Sequence, residues 1–149
     1  MYGSISLIGL GSLGSFLART LVDASRHLKE LILVDYDVVS EDNLERSLYD
    51  INDVGKLKID ALFDKIRNYK PSLSIQKLAT RLTSRSPLPI CDLHIDCRDF
   101  HYNSIENVPM IRTYISSGKL VIDCRDNIKH QRNIEGSYST VVLKHHLLY

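Results

Sequence analysis

Three glycines and one aspartate near the N-terminus have the spacing of a nucleotide-binding turn. Gly9, Gly11 and Gly14 form a G-x-G-x-x-G sequence directly after the apolar run Ser4–Ile8. Glycines in this pattern permit a tight turn, a close approach of the backbone to a phosphate, and close packing of the next helix on the strand. Asp35 lies 21 residues after Gly14, where a carboxylate can accept hydrogen bonds from ribose hydroxyls. These four residues therefore predict a nucleotide site.

The elements needed to position these residues can be read around them. Ser4–Ile8 has the composition of a buried strand, and a helix is expected to begin near Ser12. A second apolar strand, Glu30–Val34, ends directly before Asp35. The unit is therefore predicted to be β-α-β, with the helix N-terminus directed at the ligand. The face of this helix expected to pack on the sheet carries Leu13, Phe16, Leu17 and Leu21.

The sequence after Asp35 is more specific than a generic dinucleotide site. It continues through Asp37 to the run Asn43-Leu44-Glu45-Arg46, and then to Val54-Gly55-Lys56-Leu57-Lys58. An apolar strand ending in D-x-D-x-V, then N-L-x-R, then V-G-x-x-K resembles the ThiF-like adenylyltransferases, the superfamily of the ubiquitin-activating enzymes. The resemblance covers roughly residues 5–142 and suggests a shortened member.

The resemblance implies ATP-dependent adenylation, in which a carboxylate attacks the α-phosphorus of ATP and pyrophosphate leaves. Negative charge then accumulates around that phosphorus, and fixed cations and a metal lower the barrier. A planar arginine fork suits phosphate oxygens, and a lysine supplies a mobile point charge. The resemblance assigns catalysis to Arg46, Lys58 and a metal-binding aspartate. It assigns nucleotide binding to Gly9, Gly11, Gly14, Asp35, Asp37, Asn43, Arg46 and Lys58.

A magnesium ligand is the remaining requirement, because Mg²⁺ prefers oxygen ligands beside the substrate phosphates. The family takes this carboxylate from the second aspartate of a D-x-x-D motif at a strand end. The sequence contains two copies of such a motif, ending at Asp99 and at Asp126. Asp99 is favoured by its place after the expected fourth strand. Asp126 is the alternative, because Asn127 follows it as in the family's D-N.

The rest of the chain predicts a doubly wound α/β fold, with a mainly parallel, Rossmann-like sheet and helices on both faces. A second helix is expected to be capped at Asn52 or Asp53, to bury Ile59, Leu62, Phe63 and Ile66, and to end before Pro71. Further on we expect strands around Leu73–Lys77, over Cys91–Cys97 and over Leu120–Ile122, and a final antiparallel edge strand over Tyr138–Leu143. Between them we expect a proline-containing loop over Ser84–Pro89, a helix over Val108–Ser117 stopped by Gly118, and a polar loop over Asn127–Gly136.

Composition limits the other classes of function. The 149 residues are enough for one ATP-binding domain, and the formal net charge of +1 gives no general attraction to nucleic acid or anionic membranes. No apolar run approaches the roughly 20 residues of a membrane helix, and no signal peptide is evident, so a cytoplasmic location is expected. The three cysteines form no C-x-x-C pair, so zinc is not expected. Cys97 and Cys124 have the sequence context of small core residues rather than nucleophiles.

The expected partner is a small ubiquitin-like or sulfur-carrier protein ending in Gly-Gly, as the resemblance implies. Family members often supply an arginine from an N-terminal helix to a neighbouring subunit. Only three residues precede the first strand here, so a homodimer or a hetero-complex is expected to complete the site. Two alternatives remain. One is a non-catalytic nucleotide-binding module, and the other is an NAD-dependent oxidoreductase, which would leave Asn43, Arg46 and Lys58 without a role.

Overall fold

The computed structural model describes residues 3–24, 26–83, 85–98, 110–116, 119–125 and 139–144, with side chains up to Arg112. Nothing is described of the predicted loop over Asn127–Gly136 or of Gly118. The helices are α1 (Ser12–Ala24) and α2 (Lys58–Tyr69), and the strands are β1 (Ser4–Ile8), β2 (Glu30–Val34), β3 (Ser74–Leu78), β4 (Leu93–Asp96), β5 (Met110–Ser116), β6 (Lys119–Arg125) and β7 (Ser139–Lys144). Two short 3₁₀ turns, Glu41–Arg46 and Ile51–Asp53, lie between β2 and α2.

The strands form one sheet in the order β3-β2-β1-β4-β5-β6-β7. The first five are parallel, whereas β6 and β7 are antiparallel to their neighbours. The chain moves outward from β1 to β3 and then returns to place β4 on the other side of β1. This reversal makes the carboxyl ends of β1 and β4 the switch point where open α/β sheets bind ligands. The predicted doubly wound, mainly parallel sheet is confirmed.

Helix α1 begins at Ser12 as predicted, but a different face is buried. Its buried residues are Gly14, Ser15, Ala18 and Val22. Leu13 and Phe16 are 37% and 48% exposed, and Leu17 and Leu21 are partly buried. The reason is the close approach of the helix to β1. A Cβ atom on Gly14 would lie only 1.9 Å from the Gly9 carbonyl oxygen, so the face of small residues must turn toward the sheet.

Helix α2 begins later than predicted. Leu57 precedes its first turn, whereas Asp50 and Asp53 cap the 3₁₀ turn Ile51–Asp53 instead. The predicted apolar face is largely correct, because Ile59, Leu62 and Ile66 are buried and Phe63 packs partly against the core. The helix ends at Tyr69, two residues before Pro71, as predicted. No helix in the described ranges combines the length and apolarity needed to cross a membrane.

Helices α1 and α2 contact each other and pack over one face of the sheet, above the larger core. On the opposite face, a second cluster joins Ile8, Ile32 and Val34 to Leu82 from the β3–β4 connection. That connection forms no helix in its described residues and contains Pro87 and Pro89, as expected from the sequence. Within the described ranges, the prediction of helices on both faces is therefore met on one face only.

The helix predicted over Val108–Ser117 is wrong, because Met110–Ser116 is strand β5. Ile111, Tyr114 and Ile115 match helical spacing, but β-branched Ile111, Thr113 and Ile115 also alternate with the period of a strand. β5 pairs in parallel with β4 and antiparallel with β6. The segment predicted as Leu120–Ile122 is thus the sixth strand and is antiparallel. The predicted antiparallel final strand is confirmed as β7, which pairs with β6 at the end of the described sheet.

A buried polar cluster lies on the face opposite the helices. His94 Nδ1 is 3.1 Å from Ser6 Oγ and 3.5 Å from the Sγ atom of Cys91. Burial lowers the pKa of His94 from its ordinary value of 6.5 and raises the pKa of the Cys91 thiol. Both groups are therefore held neutral, and the lowered histidine pKa makes folding sensitive to acid.

We expect the protein to lose stability as the pH falls below about 6.5, because the unfolded chain then binds a proton at His94 that the folded chain binds less readily. The urea midpoint should fall between pH 7.5 and pH 5.5, and His94→Gln should flatten this dependence. The hydrogen bond from Lys65 lowers the pKa of the Asp50 carboxyl, so this group does not contribute to the pH dependence between pH 7.5 and pH 5.5. The matched control is His27→Gln at an exposed histidine. An unchanged pH dependence in His94→Gln would contradict the assignment.

Candidate functional site

The glycine turn lies at the switch point, where each glycine meets a different local requirement. Gly9 has a φ of +83° and donates its N–H to the Val34 carbonyl oxygen at 2.9 Å. A Cβ on Gly9 would lie 2.8 Å from Arg98 Cγ, and one on Gly14 would strike the Gly9 oxygen. A Cβ on Gly11 would meet no atom within 4 Å. Gly9 and Gly14 thus close the turn, whereas Gly11 borders open space.

Asp35 holds this turn from the adjacent strand. Its Oδ2 accepts a hydrogen bond from the Leu10 N–H at 2.6 Å. Its Oδ1 accepts from the N–H groups of Tyr36 and Asp37 at 2.7 and 2.9 Å. A carboxylate offers about four acceptor positions, so three are already used by the backbone. The structure therefore shows a fixing role for Asp35 that the sequence did not indicate, and about one acceptor position remains for a ribose hydroxyl.

The segment between β2 and α2 is fastened to the same turn by hydrogen bonds from three side chains. Ser12 Oγ donates to the Arg46 carbonyl oxygen, and Ser15 Oγ accepts from the Leu48 N–H at 3.2 Å. The Tyr49 hydroxyl donates to the Leu10 carbonyl oxygen at 2.7 Å. Burial, with smaller contributions from nearby carboxylates, raises the pKa of Tyr49, so the phenol keeps its proton and remains a donor.

These contacts place Arg46 beside the N-terminus of α1. Arg46 is exposed, and its guanidinium has no hydrogen bond or ion pair in the part of the chain that is described. Asn43 is partly buried, and its Oδ1 accepts from the Ser40 N–H at 3.1 Å as part of a capping box. The backbone of the N-L-x-R segment is thus fixed, whereas the charged end of Arg46 is available to a ligand.

Lys58 and Asp37 already form a pair. Lys58 Nζ lies 3.1 Å from Asp37 Oδ2, and the Lys58 N–H donates to the Asp37 carbonyl oxygen at 2.9 Å. Lys58 is buried at the first turn of α2, whereas the Asp37 side chain is 46% exposed. Two of the residues assigned by the resemblance are therefore brought together. A bound phosphate would compete with Asp37 for the ammonium group.

Asp96 and Arg98 at the end of β4 were not identified from the sequence. Arg98 forms a two-point contact with the buried Asp96, with Nε–Oδ1 and Nη2–Oδ2 distances of 2.8 and 2.7 Å. Its Nη1 donates to the Leu82 carbonyl oxygen at 2.8 Å. The position of Asp96 as the first aspartate of D-x-x-D could have indicated a site residue. No sequence signal distinguished Arg98, whose side chain packs against Gly9.

The donors around the turn fit a polyphosphate. The first backbone N–H groups of α1 have no partner within the helix, Gly11 leaves space for an anion, and Arg46 supplies an available cation. The two candidate metal ligands, Asp99 and Asp126, both lie outside the described residues. Among the residues that are described, no three His, Cys, Asp or Glu side chains form a group suited to a metal. The described donors therefore fit the phosphate groups of a nucleotide.

The model of the ThiF family matches residues 3–138. Ubiquitin-like modifier-activating enzyme 5 of Caenorhabditis briggsae is 28% identical over 133 residues, which are 85% of this chain and 26% of that protein. Molybdopterin-synthase adenylyltransferase of Escherichia coli is 30% identical over 99 residues, 64% of this chain and 39% of that protein. E. coli MccB crystallised with ATP has a similar fold, with a TM-score of 0.73 and 21% identity over 85% of this chain and 42% of that chain. The chain thus spans between a quarter and a half of the lengths of these proteins.

Proposed function

Because the chain belongs to the ThiF family, we propose that it uses ATP to adenylate the C-terminal carboxylate of a small ubiquitin-like or sulfur-carrier protein. The proposal depends on one observation. Three features lie at the carboxyl-end edge of the sheet: the open turn at Gly11, the available guanidinium of Arg46 and the buried ammonium of Lys58. The names of the relatives support the same class, since one activates ubiquitin-like modifiers and another is an adenylyltransferase.

In the proposed reaction, the glycine turn and the first N–H groups of α1 hold the phosphates of ATP. Asp35 accepts a ribose hydroxyl at its remaining position while it keeps the turn in place. Arg46 and Lys58 meet the charge that develops when the carboxylate oxygen bonds to the α-phosphorus and the bond to pyrophosphate breaks. Lys58 reaches the phosphate by exchanging its contact with Asp37, and Asn43 holds the loop that carries Arg46.

Magnesium would supply further charge neutralisation for the phosphates when bound. We propose Asp99 as its protein ligand and keep Asp126 as the alternative. Asp99→Asn is expected to raise the Mg²⁺ concentration needed for half-maximal pyrophosphate exchange, with partial rescue at high Mg²⁺, whereas Asp126→Asn should have little effect. The measurement is a magnesium titration of exchange by each variant. The opposite pattern would transfer the metal role to Asp126.

The central test is exchange of labelled pyrophosphate into ATP. With ATP, Mg²⁺ and a partner protein ending in Gly-Gly, exchange should appear, and removal of the partner's last glycine should abolish it, because no carboxylate then reaches the phosphorus. Binding should favour ATP over NAD. Tighter binding of NAD would support the oxidoreductase alternative. ATP binding without exchange for any such partner would leave a nucleotide-binding module.

Assembly is part of the proposal. We propose that a second copy, or another chain, completes the site in a homodimer or hetero-complex. Exposed Leu13 and Phe16 at the start of α1 supply apolar surface near the turn for such a contact.

A further inference from the structure

The buried hydroxyl of Tyr49 lies between the glycine turn and the start of α2. Tyr49 is 4% exposed, and its hydroxyl donates to the Leu10 carbonyl oxygen at 2.7 Å. The same hydroxyl oxygen is 3.5 Å from the carbonyl oxygen of Lys58, the first residue of α2. Burial raises the pKa of the phenol, so the hydroxyl keeps the proton that it donates. One side chain thus joins the turn to the helix that carries Lys58.

The contact with Leu10 fixes the direction of a hydrogen-bond donor in the turn. A trans peptide group is planar, so its N–H points opposite to its C=O, and the described residues contain no cis peptide bond. The Leu10 carbonyl group points at the buried Tyr49 hydroxyl. The N–H of Gly11 belongs to the same peptide group and therefore points away from Tyr49, at a residue that borders open space. Tyr49 thus orients an N–H group of the proposed phosphate site.

The contact with Lys58 concerns the backbone from which the ammonium group extends. The Lys58 N–H donates to the Asp37 carbonyl oxygen at 2.9 Å, while Nζ lies 3.1 Å from Asp37 Oδ2. In the proposed reaction the ammonium group leaves this carboxylate for a phosphate. The contacts of the Lys58 backbone with Asp37 and Tyr49 do not involve the ammonium group. They are therefore able to hold the base of the lysine side chain in place during this exchange.

We propose that Tyr49 is a positioning residue of the adenylation site, an inference that rests on the proposed function. Its hydroxyl sets Lys58 relative to the Gly11 N–H, so that the ammonium group and the N–H reach the same phosphate chain. Tyr49 touches no substrate in this role and acts through these two groups. Alignment of this kind affects the reaction rate most, because a displacement of about 1 Å can lower a rate about 100-fold.

The first test is Tyr49→Phe, which removes the hydroxyl and keeps the ring that packs in the core. With ATP, Mg²⁺ and a partner protein ending in Gly-Gly, the rate of pyrophosphate exchange should fall about ten- to one-hundred-fold. ATP affinity, measured by calorimetry, should fall several-fold at most, because Asp35 still holds the Leu10 N–H. A tyrosine analogue with an amino group in place of the hydroxyl keeps a donor and should restore most of the rate. Rates are compared well below the melting temperature of each variant.

A double-mutant cycle tests whether Tyr49 acts through Lys58. Residues that act independently give additive losses, whereas residues of one network do not. Tyr49→Phe should therefore lower exchange much less in a Lys58→Ala background than in the wild type. A purely structural role would give the same fold loss in both backgrounds, and that result would overturn the positioning role.

Tyr69 provides a matched control, because its hydroxyl also joins two elements of the fold. It forms a hydrogen bond with the Asp23 carboxylate, and the two residues lie at the C-terminal ends of α2 and α1. Tyr69→Phe should leave exchange and ATP affinity unchanged. Unchanged exchange in Tyr49→Phe would overturn the positioning role and leave the proposed function standing. Absence of exchange by the wild-type protein with every such partner would overturn the proposed function, and the positioning role with it.

Discussion

Replacing Arg46 with alanine is expected to lower pyrophosphate exchange about 100- to 1000-fold, which corresponds to about 2.7–4 kcal/mol of transition-state stabilisation. The guanidinium is exposed and has no partner in the described part of the chain, so its removal leaves no buried group unsatisfied. The loss should appear in the exchange rate far more than in ATP affinity, because the charge is needed most where negative charge develops. Initial exchange rates and calorimetric ATP binding measure the two effects separately.

Arg26→Ala is the matched control for Arg46. Arg26 is also exposed, but it precedes β2 and so lies at the amino-terminal ends of the strands, away from the glycine turn. It should leave exchange unchanged. Lys58→Ala should also suppress exchange. Because this change removes the buried ion-pair partner of Asp37, a melting curve of the variant separates the loss of catalysis from a loss of stability. Equal losses of ATP affinity and exchange in Arg46→Ala would show that Arg46 binds the ground state only, and would remove it from the catalytic assignment.

Replacing Gly14 with alanine is expected to destabilise the fold by about 3 kcal/mol or more, at the upper end of the usual cost of overpacking. The added Cβ would lie 1.9 Å from the Gly9 carbonyl oxygen and 2.9 Å from its carbonyl carbon. Both atoms belong to the backbone of the turn, so relief requires α1 to move away from β1. The melting temperature should fall by roughly 6–12 °C for a protein of this size.

Gly11→Ala provides the comparison at a site where the added atom meets nothing within 4 Å. Its melting temperature should fall by no more than about 2–4 °C, because exchanging glycine for alanine directly before the first helical residue costs roughly 1 kcal/mol and no neighbouring atom has to move. Its ATP affinity should nevertheless fall at least about ten-fold, since the methyl group occupies the space proposed for a phosphate. Thermal unfolding measures the stability of both variants, and calorimetry measures their affinity for ATP. Similar melting losses at Gly11 and Gly14 would contradict the different roles assigned to them.

The glycine spacing allowed the β-α-β unit to be predicted because its requirements are local. A turn, a following helix and an acid at the next strand end are all read within a short stretch of chain. The buried face of α1 could not be read in this way. Apolar spacing favoured Leu13 and Phe16, but the distance between α1 and β1 decides the face, and that distance depends on contact between Gly14 and Gly9.

Strand β5 and the Arg98 contact show a second limit. Ile111, Tyr114 and Ile115 satisfy helical spacing, and the strand is selected by parallel pairing with β4, an earlier part of the chain, together with antiparallel pairing with the next strand, β6. Arg98 likewise gains its position from Asp96 and from Leu82 in another connection. Asp35 was identified as a ligand-binding acid, but its hydrogen bond to Leu10 depends on how β2 lies beside the turn. Long-range contacts of this kind leave no periodic signal in the sequence.

The pairing of Lys58 with Asp37 has a consequence for ionic strength. A lysine that must leave a carboxylate to reach a phosphate exchanges one ion pair for another, so dissolved salt screens the initial and final contacts alike. Arg46 has no such carboxylate to leave. Added salt should therefore weaken nucleotide binding mainly through the contact of Arg46, while the contribution of Lys58 stays nearly constant. Asp37 acts as an internal counterion that makes this part of the site tolerant of changes in the surrounding electrolyte.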